Sequence, residues 1–192
     1  MNPLLKIKRK TAETDIVLSL RLAGKGRNKI ETPVGFFNHM LELFSFHSKV
    51  DLFLRAQGDI EVDNHHLIED IGLVLGEALN KALRDRRGIN RYGQVLLPMD
   101  EALSYITLDL SGRPFLYYKV KFSPGGNFDY SLLEDFFRAL VNRAGMTLHI
   151  ELKHGRSNHH IAESIFKGLG RALQMALKKT DRKIPSTKGV VR

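Results

Sequence analysis

Asp63-Asn64-His65-His66-Leu67-Ile68-Glu69 and, in the second half of the chain, Ser157-Asn158-His159-His160-Ile161-Ala162-Glu163 are two copies of one pattern. Each places His-His-x-x-Glu behind polar residues that suit a helix N-cap, where a side-chain oxygen satisfies otherwise unpaired N–H groups. Each also opens a long segment with apolar residues at helical spacing, such as Ile68, Ile71, Leu75, Leu79 and Leu83 in the first copy. A motif repeated together with its flanking pattern predicts a fold made by duplication.

Working outward from the first copy, residues 50–56 read as a buried strand and 34–48 as a helix. Gly24 to Asn28 mark a loop, and 4–10 with 13–22 alternate as a strand pair. The helix opened by the first motif is read over 65–84. Around the second copy, strands are expected at 93–98, 102–110, 115–122 and 146–152, with helices at 131–144 and 158–178. VDLFLRA (50–56) aligns with MTLHIEL (146–152), and FFNHMLELF (36–44) with LLEDFFRAL (132–140). The common plan is β-β-α-β-α. It predicts an α+β fold of two duplicated split β-α-β halves, ferredoxin-like or ribosomal-S5-domain-2-like, as two sheets with helices packed between them. Residues 1–88 form the first repeat. Residues 89–192 form the second with a C-terminal tail, and the two together make one compact catalytic unit, since a single such layer is thinly buried.

The chain of 192 residues is 43% hydrophobic and has no cysteine, which excludes disulfides and thiolate-bound zinc. No apolar run approaches a membrane span, and the start lacks the apolar core of a signal peptide, so a cytoplasmic location is expected. The formal charge is +9, with a basic bias after Ser164 that suits a phosphorylated small molecule, a nucleic acid or a membrane surface. The same bias also fits a solvated helix end, where cations complement the helix dipole. There is no tryptophan, no aromatic run interleaved with Lys and Arg, and no helix-turn-helix signature, so a nucleic-acid partner is not expected.

The motif carries ligand chemistry. On a helix the first His and the Glu lie about 40° apart, whereas adjacent histidines diverge by roughly 100° and cannot easily share an ion. Two metals are therefore expected, each approached from a different direction, with four imidazoles and two carboxylates between them. Imidazole and carboxylate without thiolate suit Mn, Fe, Co, Ni or Zn, and Mn fits several carboxylates with open positions. The alignment nominates two further ligands: His39, ahead of the first His-His pair, and Asp135, its counterpart in the second half. A lone His on an apolar helix face is commonly a core residue, and an acid in a first helical turn often answers the dipole alone. His47, His149 and His154 have no repeat partner, though His149 precedes the second motif on its strand.

DNHHLIEDIGLVLGEAL, NRYGQVLLPMDEAL, LDLSGRPFLYY, MTLHIELKHGRSNHHIAESIFKGLGRAL and IPSTKGV together resemble the imidazoleglycerol-phosphate dehydratase family, from about Arg9 to the C-terminus. The resemblance implies a lyase of histidine biosynthesis that dehydrates imidazole glycerol phosphate to imidazole acetol phosphate through a metal-stabilised imidazolate. It implies two Mn²⁺ per active site and a homo-oligomeric cage, a 24-mer of octahedral symmetry built from trimers whose interfaces hold the sites. His39, His65, His66, Glu69, His159, His160 and Glu163 match the family's metal ligands. Asp135 falls where members carry either a histidine or an acid, and Asn38 replaces a frequent aspartate. Glu13 matches the family's acid–base glutamate, which with Glu69 and Glu163 makes up the carboxylates assigned to the chemistry. Arg91, Arg113, Lys167, Ser186 and Lys188 match the phosphate-binding set, paired and single cationic donors plus a hydroxyl.

Three other readings use the same residues. A metal-dependent hydrolase of a phosphorylated small molecule would release inorganic phosphate. A nucleic-acid-binding module would show salt-sensitive affinity for DNA. A non-catalytic paralogue is permitted by Asp135, but the other ligands of the pattern are all present.

Overall fold

The computed structural model describes residues 3–180 and 183–186. The first half runs β1 Leu5–Lys10, β2 Thr14–Arg21, β3 Asn28–Glu31, α1 Gly35–Ser48, β4 Asp51–Gly58 and α2 His65–Leu83. The second runs β5 Tyr92–Met99, β6 Ala102–Asp109, β7 Phe115–Lys119, α3 Leu132–Ala144, β8 Thr147–His154 and α4 Asn158–Leu177. The sheets have orders β1-β2-β4-β3 and β5-β6-β8-β7. In each the last pair is parallel and the others antiparallel. The halves therefore match element for element, as the repeat predicts, but each is β-β-β-α-β-α. The shared plan lacks the short strand before the first helix of each half; β7 falls where a strand is expected at 115–122, and β3 is the one not expected.

Alternation builds the strands. In β2, Ile16, Leu18 and Leu20 are buried, and in β6 Ser104, Ile106 and Leu108 are. Those inward rows meet the apolar stripes of the helices, and the two helical layers then pack on each other, α2 on α3 and α1 on α4. Phe37 of α1, Phe136 of α3 and Phe166 of α4 are fully buried at the centre, with ring centroids 5.1 Å (Phe37–Phe136) and 5.8 Å (Phe136–Phe166) apart. Truncating any of them to Ala removes about 3–5 kcal/mol of packing.

Two glycines set the helix spacing. Gly76 and Gly170 each stand seven residues after the motif glutamate, in α2 and α4. A Cβ on Gly76 would lie 2.5 Å from the Leu140 carbonyl oxygen, and one on Gly170 would lie 2.9 Å from that of Phe44. Backbone thus meets backbone closely at equivalent points in both helix pairs. His65 beside Asp135, with Gly76 beside Leu140, shows that α2 and α3 run parallel. His39 beside Glu163, with Phe44 beside Gly170, shows the same for α1 and α4. The four helix starts consequently gather at one end of the molecule, with the β1–β2 and β5–β6 turns. No described helix is long and apolar enough to cross a membrane.

Candidate metal centre

The second motif opens α4 on the Ser157 cap, whose hydroxyl accepts from the His160 N–H at 3.4 Å. One turn in, Glu163 is 8% exposed and its Oε1 receives two imidazoles, His159 Nε2 at 2.9 Å and His39 Nε2 at 3.1 Å. One ligand atom from each of these three residues lies within 4.8 Å of the others, the one such group found among the described residues. Burial alone would raise the Glu163 carboxyl, but donors at Lys167, His39 and His159 outweigh it and bring it to about 2. It is therefore an anion facing two imidazole nitrogens. Replacing the protons they share by one divalent cation would satisfy all three donors, so the group fits a metal of the imidazole–carboxylate class.

The first motif makes a looser counterpart. His65 Nε2 stands 3.6 Å from Glu69 Oε2, while its Nδ1 stands 3.5 Å from Asp135 Oδ2 on α3. The ring is bracketed by two carboxylates, and all three side chains are 40–47% exposed. At the α2 start the capping oxygen of the Asp63–Asn64 pair is that of Asp63, whose Oδ1 accepts from the His65 N–H at 2.6 Å, while Asn64 makes no side-chain cap.

The pairing crosses the halves. His39 lies before the first His-His pair in sequence, yet it serves the second motif, while Asp135 of the second half serves the first. The sequence leaves the grouping of His39 open, and the fold decides it for this chain because α1 packs on α4.

The second histidine of each pair turns away from its neighbour, with ring planes 79° apart in the first motif and 89° in the second. His66 Nδ1 meets the Asp59 carboxylate at 3.1 Å, and His160 Nδ1 meets Glu101 Oε2 at 2.7 Å. Each hydrogen bond raises its imidazole's pKa, through Asp59 for His66 and Glu101 for His160. Each also leaves Nε2 as the nitrogen directed elsewhere, the arrangement by which carboxylates orient metal-binding imidazoles. Glu101 Oε1 further accepts from the Ser157 N–H at 2.7 Å, tying the β5–β6 turn to the start of α4. The His160 contact and the Ser157 N–H draw the Glu101 carboxyl down to about 2. Neither Asp59 nor Glu101 was assigned from the sequence. Glu101 lies inside one of the motifs quoted above, but nothing in its spacing ties it to His160.

Glu13 sits in the turn between β1 and β2, with its carboxylate 4.0 Å from His66 Nδ1. The phosphate set is divided. Lys167 is near the motifs, with Nζ 2.5 Å from Glu163 Oε2. Arg91 is at the far end of β5, where Nε and Nη2 grip Asp109 at 2.6 and 2.9 Å and Nη1 donates to the Pro185 carbonyl at 2.9 Å. Arg113 is exposed just before β7, and Ser186 follows Pro185. Lys188 lies outside the described residues. With about 3.3 Å per residue, the eight residues of β5 put Arg91 roughly 26 Å from the β5–β6 turn beside His160. His149 does not join this chain's motifs: it packs between Phe115 and Tyr117, with ring centroids 5.5 Å from each and tilted to both, on the sheet's outer face.

Residues 32–173 match the family model for imidazoleglycerol-phosphate dehydratase. A dehydratase of that name from Caldanaerobacter subterraneus is 52% identical over 97% of this chain and 98% of its own. Another, from Endomicrobium trichonymphae, is 50% identical over 97% of each. Among solved structures, imidazoleglycerol-phosphate dehydratase from Staphylococcus aureus superposes with a TM-score of 0.84 at 41% identity, covering 93% of this chain and 100% of that one. The Pyrococcus furiosus enzyme, in complex with (S)-C348, gives 0.84 at 37% identity over 96% and 99%. Duplicated fold, paired motifs and full-length relatives agree, and the chain belongs to the imidazoleglycerol-phosphate dehydratase family, lyases of histidine biosynthesis.

Proposed function

We propose that the chain removes water from imidazole glycerol phosphate to give imidazole acetol phosphate, with two Mn²⁺ at each active site. The observation that carries this reading is the convergence of His39, His159 and Glu163 on one point, with His65, Glu69 and Asp135 as the corresponding set of the other half. His66 and His160 complete the ligands, each oriented by its own carboxylate. Bound there, divalent cations supply Lewis acidity to the substrate's imidazole ring and a hydroxyl, which makes a C–H bond next to no carbonyl acidic enough to break.

The chain's own groups do the rest. Glu13 is exposed, with its carboxylate 4.0 Å from the His66 ring, and in this reading it exchanges a proton with the substrate chain. Loss of that carbon-bound proton with the neighbouring hydroxyl, as water, leaves an enol that becomes the ketone. Arg91, Arg113, Lys167, Ser186 and Lys188 hold the phosphate, so that binding energy fixes the orientation of the reacting end.

The roughly 26 Å between Arg91 and the histidines of one chain is far more than the substrate spans. That separation supports a site assembled from more than one copy, and with the family pattern a 24-mer of octahedral symmetry built from trimers. The test is turnover of imidazole glycerol phosphate by chelator-stripped protein, with and without added Mn²⁺. Acetol phosphate formed only when metal is restored is the expected result. Release of inorganic phosphate without the ketone would transfer the site to hydrolase chemistry.

A further inference from the structure

Asp70 is the residue after Glu69 on α2, and its side chain is only 10% exposed. One oxygen, Oδ2, accepts from the Thr14 hydroxyl at 2.5 Å, and the other, Oδ1, pairs with Arg9 Nη2 at 2.9 Å. Thr14 closes the turn that carries Glu13. Its hydroxyl is 3.2 Å from that of Thr11, and Thr11 Oγ1 in turn accepts the N–H groups of Glu13 at 3.2 Å and Thr14 at 3.0 Å. Since Thr14 gives its proton to Asp70, Thr11 gives its own to Thr14, and the hydroxyl chain runs one way from turn to carboxylate. The Glu13 carbonyl also accepts from the Asp59 N–H at 3.1 Å, and the Asp59 carboxylate is the partner of His66.

The second half is an internal control. There the residue after the motif glutamate is Ser164, and it too meets an inward-facing hydroxyl of the second strand, Ser104, at 2.6 Å. Two neutral hydroxyls therefore suffice to join motif helix and second strand. A buried carboxylate with an arginine is the costlier device, because Asp70 gives up hydration of a charge that a neutral hydroxyl does not carry. The halves differ in what the neighbouring turn does. The β5–β6 turn needs only Asp100 and Glu101 between paired strands, whereas the β1–β2 turn is longer and presents Glu13.

We propose that Asp70 is a positioning residue which, through Thr14 and Arg9, fixes the Glu13 turn on the helix bearing Glu69, and so sets the acid–base carboxylate relative to the metal ligands. The proposal rests on the dehydratase reading given above. Proton transfer requires hydrogen-bond reach, and a displacement near 1 Å lowers rate by about 100-fold.

The experiment uses the assembled, Mn²⁺-loaded enzyme with wild type, Glu13→Gln, Asp70→Asn, Thr14→Val and Thr14→Ser compared for kcat, KM and bound manganese. Thr14→Val keeps the side-chain shape and removes the hydroxyl, so it remains informative should Asp70→Asn fold poorly. The expected result is a loss of about 30–100-fold in kcat for Thr14→Val and Asp70→Asn, with KM and manganese content within about twofold. Thr14→Ser recovers most of that loss, and Thr14→Val added to Glu13→Gln costs nothing further, because both act through one group. Full kcat in Thr14→Val, a loss that follows manganese content, or a loss additive with that of Glu13→Gln would overturn the proposal. A wild type that makes no ketone would overturn the function reading and the proposal with it.

Discussion

The two halves share one scaffold and differ in how tightly each closes around its ligands. In the set built on α4, Glu163 is almost buried and takes hydrogen bonds from His39, His159 and Lys167. In the set built on α2, Glu69 is 47% exposed and, among the described residues, its ion-pair partner is His65, at 3.6 Å. The difference goes with two changes in the duplicated plan, His39 in α1 against Asp135 in α3 and Lys167, four residues after Glu163, against Leu73 after Glu69. An imidazole reaches from α1 to Glu163 and completes a three-donor point. The shorter Asp135 reaches His65, and from the side opposite Glu69. Duplication thus preserved where these side chains sit and left their chemistry free to diverge.

The largest effect expected from this asymmetry is in the motif glutamates. Glu163→Gln removes the anion on which two imidazoles converge and leaves Lys167 unpaired. It should lower metal affinity by about 10³-fold, whereas Glu69→Gln should lower it by about 10–100-fold. Metal retained per chain after dialysis against graded chelator measures both, and equal losses would erase the distinction. Asp135→His should act in the opposite direction. By making the first set resemble the second, it is expected to raise the affinity of the weaker metal by about tenfold, read by isothermal titration. A decrease would mean that Asp135 is matched to its ion as it stands.

The third concerns packing alone. Gly76→Ala drives a Cβ into the Leu140 carbonyl and should cost about 2–3 kcal/mol. Gly170→Ala, with nearest atoms at 2.9 Å, should cost about 1–2 kcal/mol. Urea midpoints of the two variants would order them, and a reversed order would show that the α1–α4 pair is the less forgiving one.

Much of this was legible in the sequence, because a duplicated motif with its caps and apolar spacing fixes element order twice over. The strand Asn28–Glu31 was not, since it is four residues long, buries only Ile30 and follows a glycine-rich loop. Ligand types were readable from the His-His-x-x-Glu pattern, but ligand grouping was not. His39 stands nearer in sequence to His65 and is carried to His159 because parallel helices of different halves face each other. The carboxylates of Asp59, Glu101 and Asp70 were equally silent, being single acids in turns or on a helix face whose partners are set by tertiary packing. The ends of the phosphate set were named from the resemblance alone, and only the fold shows how far Arg91 lies from the histidines.

The most direct test of a two-set centre is to titrate Mn²⁺ into metal-free enzyme while following bound metal and dehydratase turnover together. The account predicts two ions per chain, bound with unequal affinity, and activity that rises with the second. Full activity at one ion per chain, or one ion bound at saturation, would contradict it.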